Sequence, residues 1–421
     1  MQVCIFEDQL VSNFFPLVYF RPVYALRCGV SKLREKIELL VPRARIVFHV
    51  RPALADYLAE KHPDRTVNTL HDEPTWFVNG RTLADESLQQ LLRSAPKNDT
   101  AYWNNGDVAA AYIGSGVVRQ FQEAVSTGPL SSDVFQSFTK ADTGITLVRY
   151  PWDLVHRNPG AIVSDFSVLF KGKKTGTRGK IYPGATLLNK NHIIVGRGSV
   201  VKPQAVLDAE SGPIVIGEGV KIYPHAFIEG PASIGNGTLI KAGAKIYGGT
   251  TIGEVCKIGG EVDASIVHSY SNKQHEGFLG HSYIGSWVNI GADTNTSDLK
   301  NNYGTVQVNV SGGRHIDTGL QFVGLFMGDH SKSGINVMFD TGSVIGASCN
   351  VYGSGLPPRF LPSFSWGNIV SSFSTYRIEK SIETAQRAMA RRNVPWTAAY
   401  ERLFRSVFDA TMADRARQRI F

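Results

Sequence analysis

The sequence predicts an α/β domain, then a parallel β-helix of hexapeptide repeats, and then a helical extension. Three successive patterns in the 421-residue chain predict this order. Apolar runs alternate with helical spacing over residues 1–175, an aliphatic residue returns at every sixth position within residues 176–371, and helical spacing returns over residues 372–421. At roughly 150 residues per domain, three units fit a chain of this length.

The α/β prediction rests on predicted strands and helices that alternate along the first region. Three apolar runs are predicted strands: QVCIFED, ARIVFHV and TWFVNGR. Three segments with helical spacing are predicted helices: SKLREKIELL, PALADYLAEKH and LADESLQQLLRSA. Asn105-Gly106 lies between apolar flanks and predicts a β-hairpin. Strands that alternate with helices indicate a mostly parallel sheet.

A basic, glycine-rich segment follows this region, with the sequence KGKKTGTRGK over residues 171–180. It contains no apolar residue, so it has no side chain to place in a core. The segment therefore predicts a linker or an exposed loop between the two kinds of pattern.

The β-helix prediction rests on eight isoleucines at a strict interval of six: Ile216, Ile222, Ile228, Ile234, Ile240, Ile246, Ile252 and Ile258. A period of six fits neither a helix nor a single amphipathic strand. It fits a coil in which each six-residue unit forms one flat side and a turn, with the aliphatic side chains inside. Because three sides close one coil, residues eighteen apart are expected to stack, for example Ile216, Ile234 and Ile252.

The last region predicts two helices separated by Pro395. Ile378, Ile382, Ala385 and Met389 lie on one face of the first helix, in YRIEKSIETAQRAMARR. The second helix is predicted over AAYERLFRSVFDATMADRARQR. Their expected role is packing along the β-helix or between subunits.

The bulk composition excludes several classes of protein. The net charge of +8 is spread thinly, and aromatic residues do not alternate with a basic patch, so we expect no nucleic-acid partner. The four cysteines form no C-x-x-C pair, so neither a disulfide framework nor a thiolate zinc site is expected. The N-terminal MQVCIFEDQL is typical of a first strand rather than a signal peptide, and no apolar run approaches the ~20 residues of a membrane span. We therefore expect a cytoplasmic protein with no membrane partner.

The regular repeat is interrupted at SNKQHEGFLGHSYIG, residues 271–285. A loop that leaves a rigid β-helix wall can hold polar groups with little reorganisation. His275 is the candidate base, because an imidazole can accept a proton near neutral pH. Its charged and polar neighbours Lys273, Glu276 and His281 favour a functional role over that of an ordinary surface histidine.

Several segments resemble a known family. Residues 257–304 resemble the β-helix domain of bifunctional GlmU-type enzymes, which combine N-acetylglucosamine-1-phosphate uridyltransferase and glucosamine-1-phosphate N-acetyltransferase activities. The segments FVNGR, YPWDLVHRNPGAIVSDF and MGDHSKSGINVMFDTGSVIGASCNVYGSG are similar to a divergent bacterial branch of GlmU-like sugar nucleotidyltransferases. The resemblance implies a nucleotidyltransferase-like, Rossmann-like first domain, a left-handed β-helix, and acetyl-CoA-dependent N-acetylation of an amino sugar or its phosphate in sugar-nucleotide biosynthesis.

The resemblance also implies roles for individual residues of the β-helix. His275 matches the general base of acetyl transfer, Asn289 matches an asparagine that contacts the amino sugar or the oxyanion, and Glu261 matches a glutamate that can orient the histidine. The candidate substrate-binding residues are Lys273, Lys300, Tyr303 and Asp293. The chain departs from the family where Phe278 replaces a tyrosine, Asp293 replaces a glycine and Asp263 replaces a phosphate-binding lysine, which leaves the acceptor open.

The first domain departs further from the family pattern. FEDQLVSNFFPLVYFRP contains no glycine where the family has a glycine-rich phosphate loop. The candidate nucleotide-binding residues are Arg21, Arg27, Arg34, Asn79 and Arg81. Carboxylates that could hold Mg²⁺ are Asp8, Asp85, Asp153 and Asp165. The alternative is that the arginines pair with Glu7, Asp8 and Glu35 and only hold the domain together.

Other functions remain open at this point. The chain could transfer nucleotides only, or it could be a scaffold that binds a sugar nucleotide at a degenerate site. A metal enzyme of the γ-carbonic anhydrase type would require a H-x₄-H pair, but His281 falls one residue late after His275, so no metal site is predicted. The resemblance implies a homotrimer, because acyl-CoA sites in this class lie between the coils of neighbouring subunits.

Overall fold

The computed structural model describes residues 1–94, 96, 99–170, 176–310 and 313–421. It confirms the predicted fold class of an α/β domain, a β-helix of hexapeptide repeats and C-terminal helices. Residues 171–175 of the predicted linker lie outside the described residues. Helix α5 ends at Leu169 and the first coil strand begins at Lys180, whereas the predicted domain boundaries near residues 175 and 371 stay predictions.

The first domain is built on a seven-stranded sheet in the order β3-β2-β1-β4-β6-β5-β7. Its strands are β1 (Gln2–Phe6), β2 (Arg45–Phe48), β3 (Thr66–Val67), β4 (Thr75–Asn79), β5 (Thr100–Asn104), β6 (Asp107–Ile113) and β7 (Thr139–Asp142). Its helices are α1 (Leu33–Leu40), α2 (Pro52–Lys61), α3 (Glu86–Arg93), α4 (Phe121–Thr127) and α5 (Pro151–Leu169). Short 3₁₀ turns cover Gln9–Phe14, Val23–Ala25, Val118–Gln120 and Ser132–Phe135.

The centre of this sheet is parallel and its far edge is antiparallel. Strand β1 pairs in parallel with β2 and β4, as the alternation of strands and helices predicts. Strands β5 and β6 form the predicted hairpin. Its turn residues Asn105 and Gly106 have φ of 49° and 85°, a left-handed conformation that Asn and Gly tolerate.

Three sheets run side by side along the coil. The first coil sheet contains Ile193–Val195, Ile214–Ile216, Ala232–Ile234, Thr250–Ile252, Ile266–Val267, Tyr283–Ile284, Phe326–Met327, Val344–Ile345 and Phe360–Leu361. The second contains Lys180–Ile181, Val200–Val201, Lys221–Ile222, Leu239–Ile240, Lys257–Ile258, Asn272–Lys273, Asn289–Ile290, Lys332–Ser333, Asn350–Tyr352, Ser365–Asn368 and the antiparallel Ser372–Thr375. The third contains Thr186–Leu188, Val206–Asp208, Phe227–Glu229, Lys245–Ile246, Glu261–Asp263 and Phe278–Gly280, and the pair Asn295–Thr296 and Met338–Phe339 follows it.

The register of the coil confirms the predicted columns. Ile216 pairs with Ile234, and Ile234 pairs with Ile252, each eighteen residues on. All three side chains are buried in one continuous apolar interior. Burial of each isoleucine contributes about 1.5–3 kcal/mol, so the stacked columns explain why a sequence of such short strands forms a stable coil.

One long insertion interrupts the coil. Ile284 pairs with Met327, forty-three residues on. The intervening chain contains a two-stranded hairpin, Gln307–Val310 and Arg314–Asp317. Val308 and Val310 pack with Phe14 of the first domain in a shared apolar cluster. The insertion therefore joins the coil to the α/β domain.

Helices also join the three parts of the chain. Helix α5 packs on the first coil sheet, where the Asn158 side chain donates to the carbonyl of Gly249 at 2.7 Å. The C-terminal helices are α6 (Ile378–Ala390), α7 (Ala398–Ala410) and α8 (Met412–Arg417). The single second helix predicted for this region is wrong, because the chain leaves the helical path at Thr411. Among the described residues, every helix is too short or too polar to cross a bilayer.

Candidate functional site

The irregular stretch is a tight bend rather than a long loop. Strands Asn272–Lys273 and Phe278–Gly280 flank residues 274–277, which we call the His275 turn. Ile258 pairs with Lys273 only fifteen residues on. The expected loop leaving the wall is therefore wrong, because the coil is shortened here by three residues instead of being extended.

This shortening places Lys273 at an inward position of the coil. Its neighbours in the same column are Ile258 and Ile290, and Lys273 is only 2% exposed. Its Nζ donates to the carbonyls of Gly259 at 3.1 Å and His275 at 3.0 Å. Burial lowers the pKa of this ammonium group to about 8. Lys273, a candidate substrate-binding residue, thus holds the backbone of the His275 turn from inside.

The His275 side chain is exposed at the corner between the second and third coil sheets. The next coil supports the turn, because the Asp293 amide donates to the Glu276 carbonyl at 3.1 Å. The Phe278 amide donates to Asn295 Oδ1 at 2.8 Å. Asp293 itself is exposed and has a φ of 53°. The turn is therefore stacked on a second turn that brings Asp293 directly beside it.

Glu261 and Asn289 lie on opposite sides of this corner. Glu261 pairs with Phe278 in the third coil sheet, whereas Asn289 pairs with Asn272 in the second. The Asn272 side chain donates to Asn289 Oδ1 at 3.4 Å. Within the described part of the chain, no hydrogen bond links either residue to the His275 imidazole. The structure thus places both residues near the corner without a direct contact to its histidine.

An open groove begins at Phe278, immediately after the His275 turn. This coil groove has a volume of about 740 Å³, within the range of roughly 300–1,000 Å³ for small-molecule sites. The Lys300 ammonium donates to the Thr305 carbonyl at 3.1 Å, and Arg359 pairs with Asp340. Tyr303 lies outside the lining and is 68% exposed on the insertion. The lining combines apolar and polar side chains, among them Phe278, Asn295, Lys300, Met338, Leu356 and Arg359.

Two candidate nucleotide-binding residues, Asn79 and Arg81, lie at the carboxyl end of β4. Both are buried in a network of hydrogen bonds and ion pairs around Asp8. Arg81 is fully buried, and its Nε donates to Asp8 Oδ1 at 3.0 Å. It also donates to the Val148 carbonyl at 2.8 Å and pairs with Asp107 at 3.2 Å. The Asn79 amide donates to Asp8 Oδ2 at 2.8 Å. The geometry of Arg81 and Asn79 thus matches the alternative in which such residues hold the domain together.

The carboxylates considered for Mg²⁺ are engaged with protein groups. Asp8 binds Arg81, and Asp165 pairs with Lys36 at 2.8 Å. Asp85 accepts from the Leu88 amide at 3.0 Å at the start of α3. Asp153 accepts from the Tyr150 amide at 3.0 Å at the start of α5. These residues do not fit a Mg²⁺ site in the first domain, because each carboxylate already binds a cation or caps a helix.

A different group of possible ligands was not predicted from the sequence. Asp263, His281 and Asp298 each offer one ligand atom, and these atoms lie within 4.8 Å of one another. His281 Nδ1 is 2.8 Å from Asp298 Oδ2. The His281 ring also stacks on Phe322 of the insertion. The hydrogen bond between His281 and Asp298 ties the insertion to the coil, and Asp263 lies beside this pair.

The other candidate arginines meet where the three parts of the chain join. Arg21 binds Asp329 and donates to Ser286 Oγ at 2.9 Å. Arg27 pairs with Glu254, and this charge holds the pKa of the Glu254 carboxyl at about 2 against the effect of burial. Arg34 donates to Glu38 at 2.7 Å.

These residues surround a second space, which we call the junction cavity. Its volume is about 430 Å³, and Arg21, Arg34 and Glu254 are in its lining. The sequence analysis missed Lys61, His268, Tyr270 and Trp287 in the same lining. The sequence offers one signal for two of these residues: Tyr270 and Trp287 occupy the same position in successive coils.

The chain is similar to several known proteins. Residues 3–174 match the model of the family described as sugar nucleotidyl transferase. A bifunctional sugar-1-phosphate nucleotidylyltransferase/acetyltransferase from Sulfurisphaera tokodaii is 36% identical over 149 residues. The bifunctional protein GlmU from Acidithiobacillus ferrooxidans is 33% identical over 165 residues. These matches agree with the predicted resemblance to GlmU-like proteins.

These GlmU-like relatives match only part of the chain. The two alignments cover 32% and 38% of this chain, and they span 37% and 31% of the relatives' own lengths. An uncharacterized acetyltransferase, YaiX from Escherichia coli, is 28% identical over 165 residues, which cover 39% of this chain and 71% of that protein. A solved UDP-N-acetylglucosamine acyltransferase from Francisella novicida aligns with 52% of this chain and 71% of its own, at 16% identity and a TM-score of 0.22.

Proposed function

We propose that the chain is a transferase of sugar-nucleotide biosynthesis that moves an acetyl group from acetyl-CoA to the amine of an amino sugar or its phosphate. The coil groove carries this proposal, because it opens at Phe278 beside the exposed His275. Its apolar residues suit a pantetheine arm, and its basic residues Lys300 and Arg359 suit phosphates. The relatives named as acetyltransferases support the same reaction.

In the proposed reaction, His275 acts on the amine. The amine nitrogen attacks the thioester carbonyl, and the imidazole takes the proton that the nitrogen loses as the C–N bond forms. The carbon–sulfur bond then breaks, and the CoA sulfur leaves as a thiolate that receives the proton. The turn holds its backbone through Lys273 and Asp293, so the imidazole can meet the amine with little reorganisation. Asn289 and Glu261 would contact the acceptor from the two sheets that flank the corner.

For the first domain, we propose binding of a sugar nucleotide rather than nucleotidyl transfer. The buried pair of Arg81 and Asp8 argues against nucleotidyl transfer, because it occupies the carboxyl ends of β1 and β4, where ligands of such sheets usually bind. Arg21 and Arg34 of the same domain line the junction cavity instead, which favours binding there. The four carboxylates considered for Mg²⁺ also argue against nucleotidyl transfer, because each already binds a cation or caps a helix. A nucleotidyl transfer assay with Mg²⁺, nucleoside triphosphates and sugar 1-phosphates would contradict this proposal if it released pyrophosphate.

We also propose that the chain works as a homotrimer in the cytoplasm. Ile335, Met338 and Leu356 are exposed on the coil at 67%, 44% and 58%, and apolar surface of this kind is common where subunits meet. Light scattering would measure the assembly, and a monomer at micromolar concentration would contradict it.

The acetyl-transfer proposal predicts acceptor-dependent release of free thiol from acetyl-CoA. Pure protein would be incubated with acetyl-CoA and a panel of amino sugars and amino-sugar phosphates, with thiol release followed by a chromogenic reagent. Mass spectrometry of the sugar would distinguish N-acetylation from simple hydrolysis of the thioester. If no amine of the panel raised thiol release above the level without acceptor, the proposed reaction would be wrong.

A further inference from the structure

We propose that the junction cavity binds a nucleoside phosphate, with the base stacked on Tyr270 and the phosphates held by Lys61. Tyr24 of its lining lies against Gly80, directly after β4. The cavity shares no lining residue with the coil groove. The inference goes beyond acetyl transfer at His275, and it rests on the proposed function of the first domain, because it names a site for the sugar nucleotide proposed to bind there.

A column of parallel rings forms one wall of the cavity. Tyr270 and Trp287 stack with ring centroids 4.3 Å apart and planes at 8°. Trp287 continues to His330 at 6.1 Å and 13°. Tyr270 and Trp287 have φ of 66° and 63°, so both occupy the same corner of successive coils and their rings leave the coil in the same direction. Tyr270 ends the column, since it makes no further ring contact among the described residues.

A planar base can extend this column at the outer face of Tyr270. Stacking between a base and an aromatic ring is tolerant of sequence, because every base has a π-face. The preceding corner position is occupied by Val255 instead of a ring, with a φ of 58°. The column thus ends at Tyr270, which lines the cavity.

Cationic side chains stand opposite the rings. Arg21 and Arg27 are paired with Asp329 and Glu254. Lys32 is paired with Glu35, and Arg34 with Glu38. Lys61 forms no ion pair within the described residues, and its ammonium group lies 5.5 Å from the centre of the Tyr57 ring. A phosphate would supply the missing anion.

Two buried polar atoms in the lining also lack a partner. His268 Nε2 and the Tyr24 hydroxyl are buried and form no hydrogen bond in the described structure. His268 is 3% exposed and Tyr24 is fully buried. Buried polar groups without a partner are costly and uncommon, and a ligand or a bound water in the cavity would supply the partner of these two. Burial lowers the pKa of His268 well below its usual value, and the resulting neutral imidazole can exchange hydrogen bonds with a base or a sugar.

Two sources can supply this chemistry: the nucleoside diphosphate part of a sugar nucleotide, and the adenosine phosphate part of coenzyme A. Calorimetry on the full chain would compare UDP, UDP-N-acetylglucosamine, ADP and CoA, with uridine and inorganic pyrophosphate as probes of the base and the phosphates alone. The inference expects UDP or ADP to bind at least tenfold more tightly than either partial probe. Tightest binding by CoA, weakened by Tyr270→Leu, would assign the site to that source, and tightest binding by UDP or its sugar, weakened by the same variant, would assign it to the other.

Two variants test the two halves of the site. Tyr270→Leu and Lys61→Gln are each expected to weaken the best ligand by roughly tenfold or more. The matched control is Lys180→Gln with Lys202→Gln, because these lysines lie 4.3 and 4.7 Å from the Tyr182 ring on the coil and outside the cavity. The control is expected to bind as the parent does, and melting curves would show that all variants are folded.

The inference is overturned if no probe binds, if pyrophosphate alone binds as tightly as UDP and ADP, or if both variants keep the parental affinity.

Discussion

His275→Ala is expected to lower kcat for acetyl transfer by roughly 100-fold or more, with acetyl-CoA affinity nearly unchanged. An amine near neutral pH is largely protonated, so a lone pair must be exposed at the thioester as the proton leaves. The exposed imidazole at the coil corner is the group placed to accept that proton. Steady-state kinetics on the best acceptor, with acetyl-CoA binding measured separately by calorimetry, would check both parts of this expectation.

The chain provides a matched control for this experiment. His225 is also an exposed histidine between strands of the second and third coil sheets, with a φ of 61°, but it lies in a regular coil. His225→Ala is expected to keep parental turnover, and His275→Asn to lose as much as His275→Ala. Phe278→Tyr, which restores the hydroxyl of the family pattern, is expected to remain active. If both His275 variants kept parental kcat, the histidine would be an ordinary surface residue.

Arg81→Met is expected to lower the free energy of unfolding by about 3–5 kcal/mol. Removal of the guanidinium leaves Asp8 buried without its cation, and it also removes the donors to Val148 and Asp107. Denaturant unfolding of the variant and the parent would measure the loss.

The double variant Asp8→Asn with Arg81→Met separates this structural role from a role in ligand binding. Without the buried carboxylate charge, the double variant is expected to recover part of the lost stability, so the two effects are not additive. A variant Arg81→Met with parental stability and no affinity for nucleotides would contradict the structural role and favour direct binding by Arg81.

The coil could be predicted from the sequence because its code is local. Each aliphatic residue at an interval of six indicates one buried position of the coil. Ile216, Ile234 and Ile252 stack as expected. The length of the next coils could not be predicted in the same way. Lys273 enters the interior because its coil has fifteen residues instead of eighteen, and a lysine carries no signal of burial in the sequence.

The partners of the charged residues could not be predicted either. Asp8 and Arg81 are seventy-three residues apart, and Arg21 lies more than three hundred residues from Asp329. Such pairs form only when the sheet, the coil and the helices pack together. The sequence therefore predicts that the arginines of the first domain bind charged groups. It does not distinguish Arg81, which is buried inside the domain, from Arg34, which lines the junction cavity.

The buried Lys273 has a consequence for the proton balance of folding. Its pKa falls from 10.5 in the open chain to about 8 in the coil, so between these values the unfolded chain binds more protons than the folded one. Stability from this residue therefore rises with pH across that window, by about 3 kcal/mol in total. We expect the free energy of unfolding to rise more steeply from pH 8 to 10 in the parent than in Lys273→Met, and equal slopes would contradict this. In alkaline solution the coil would thus fold with the release of a proton from its own interior.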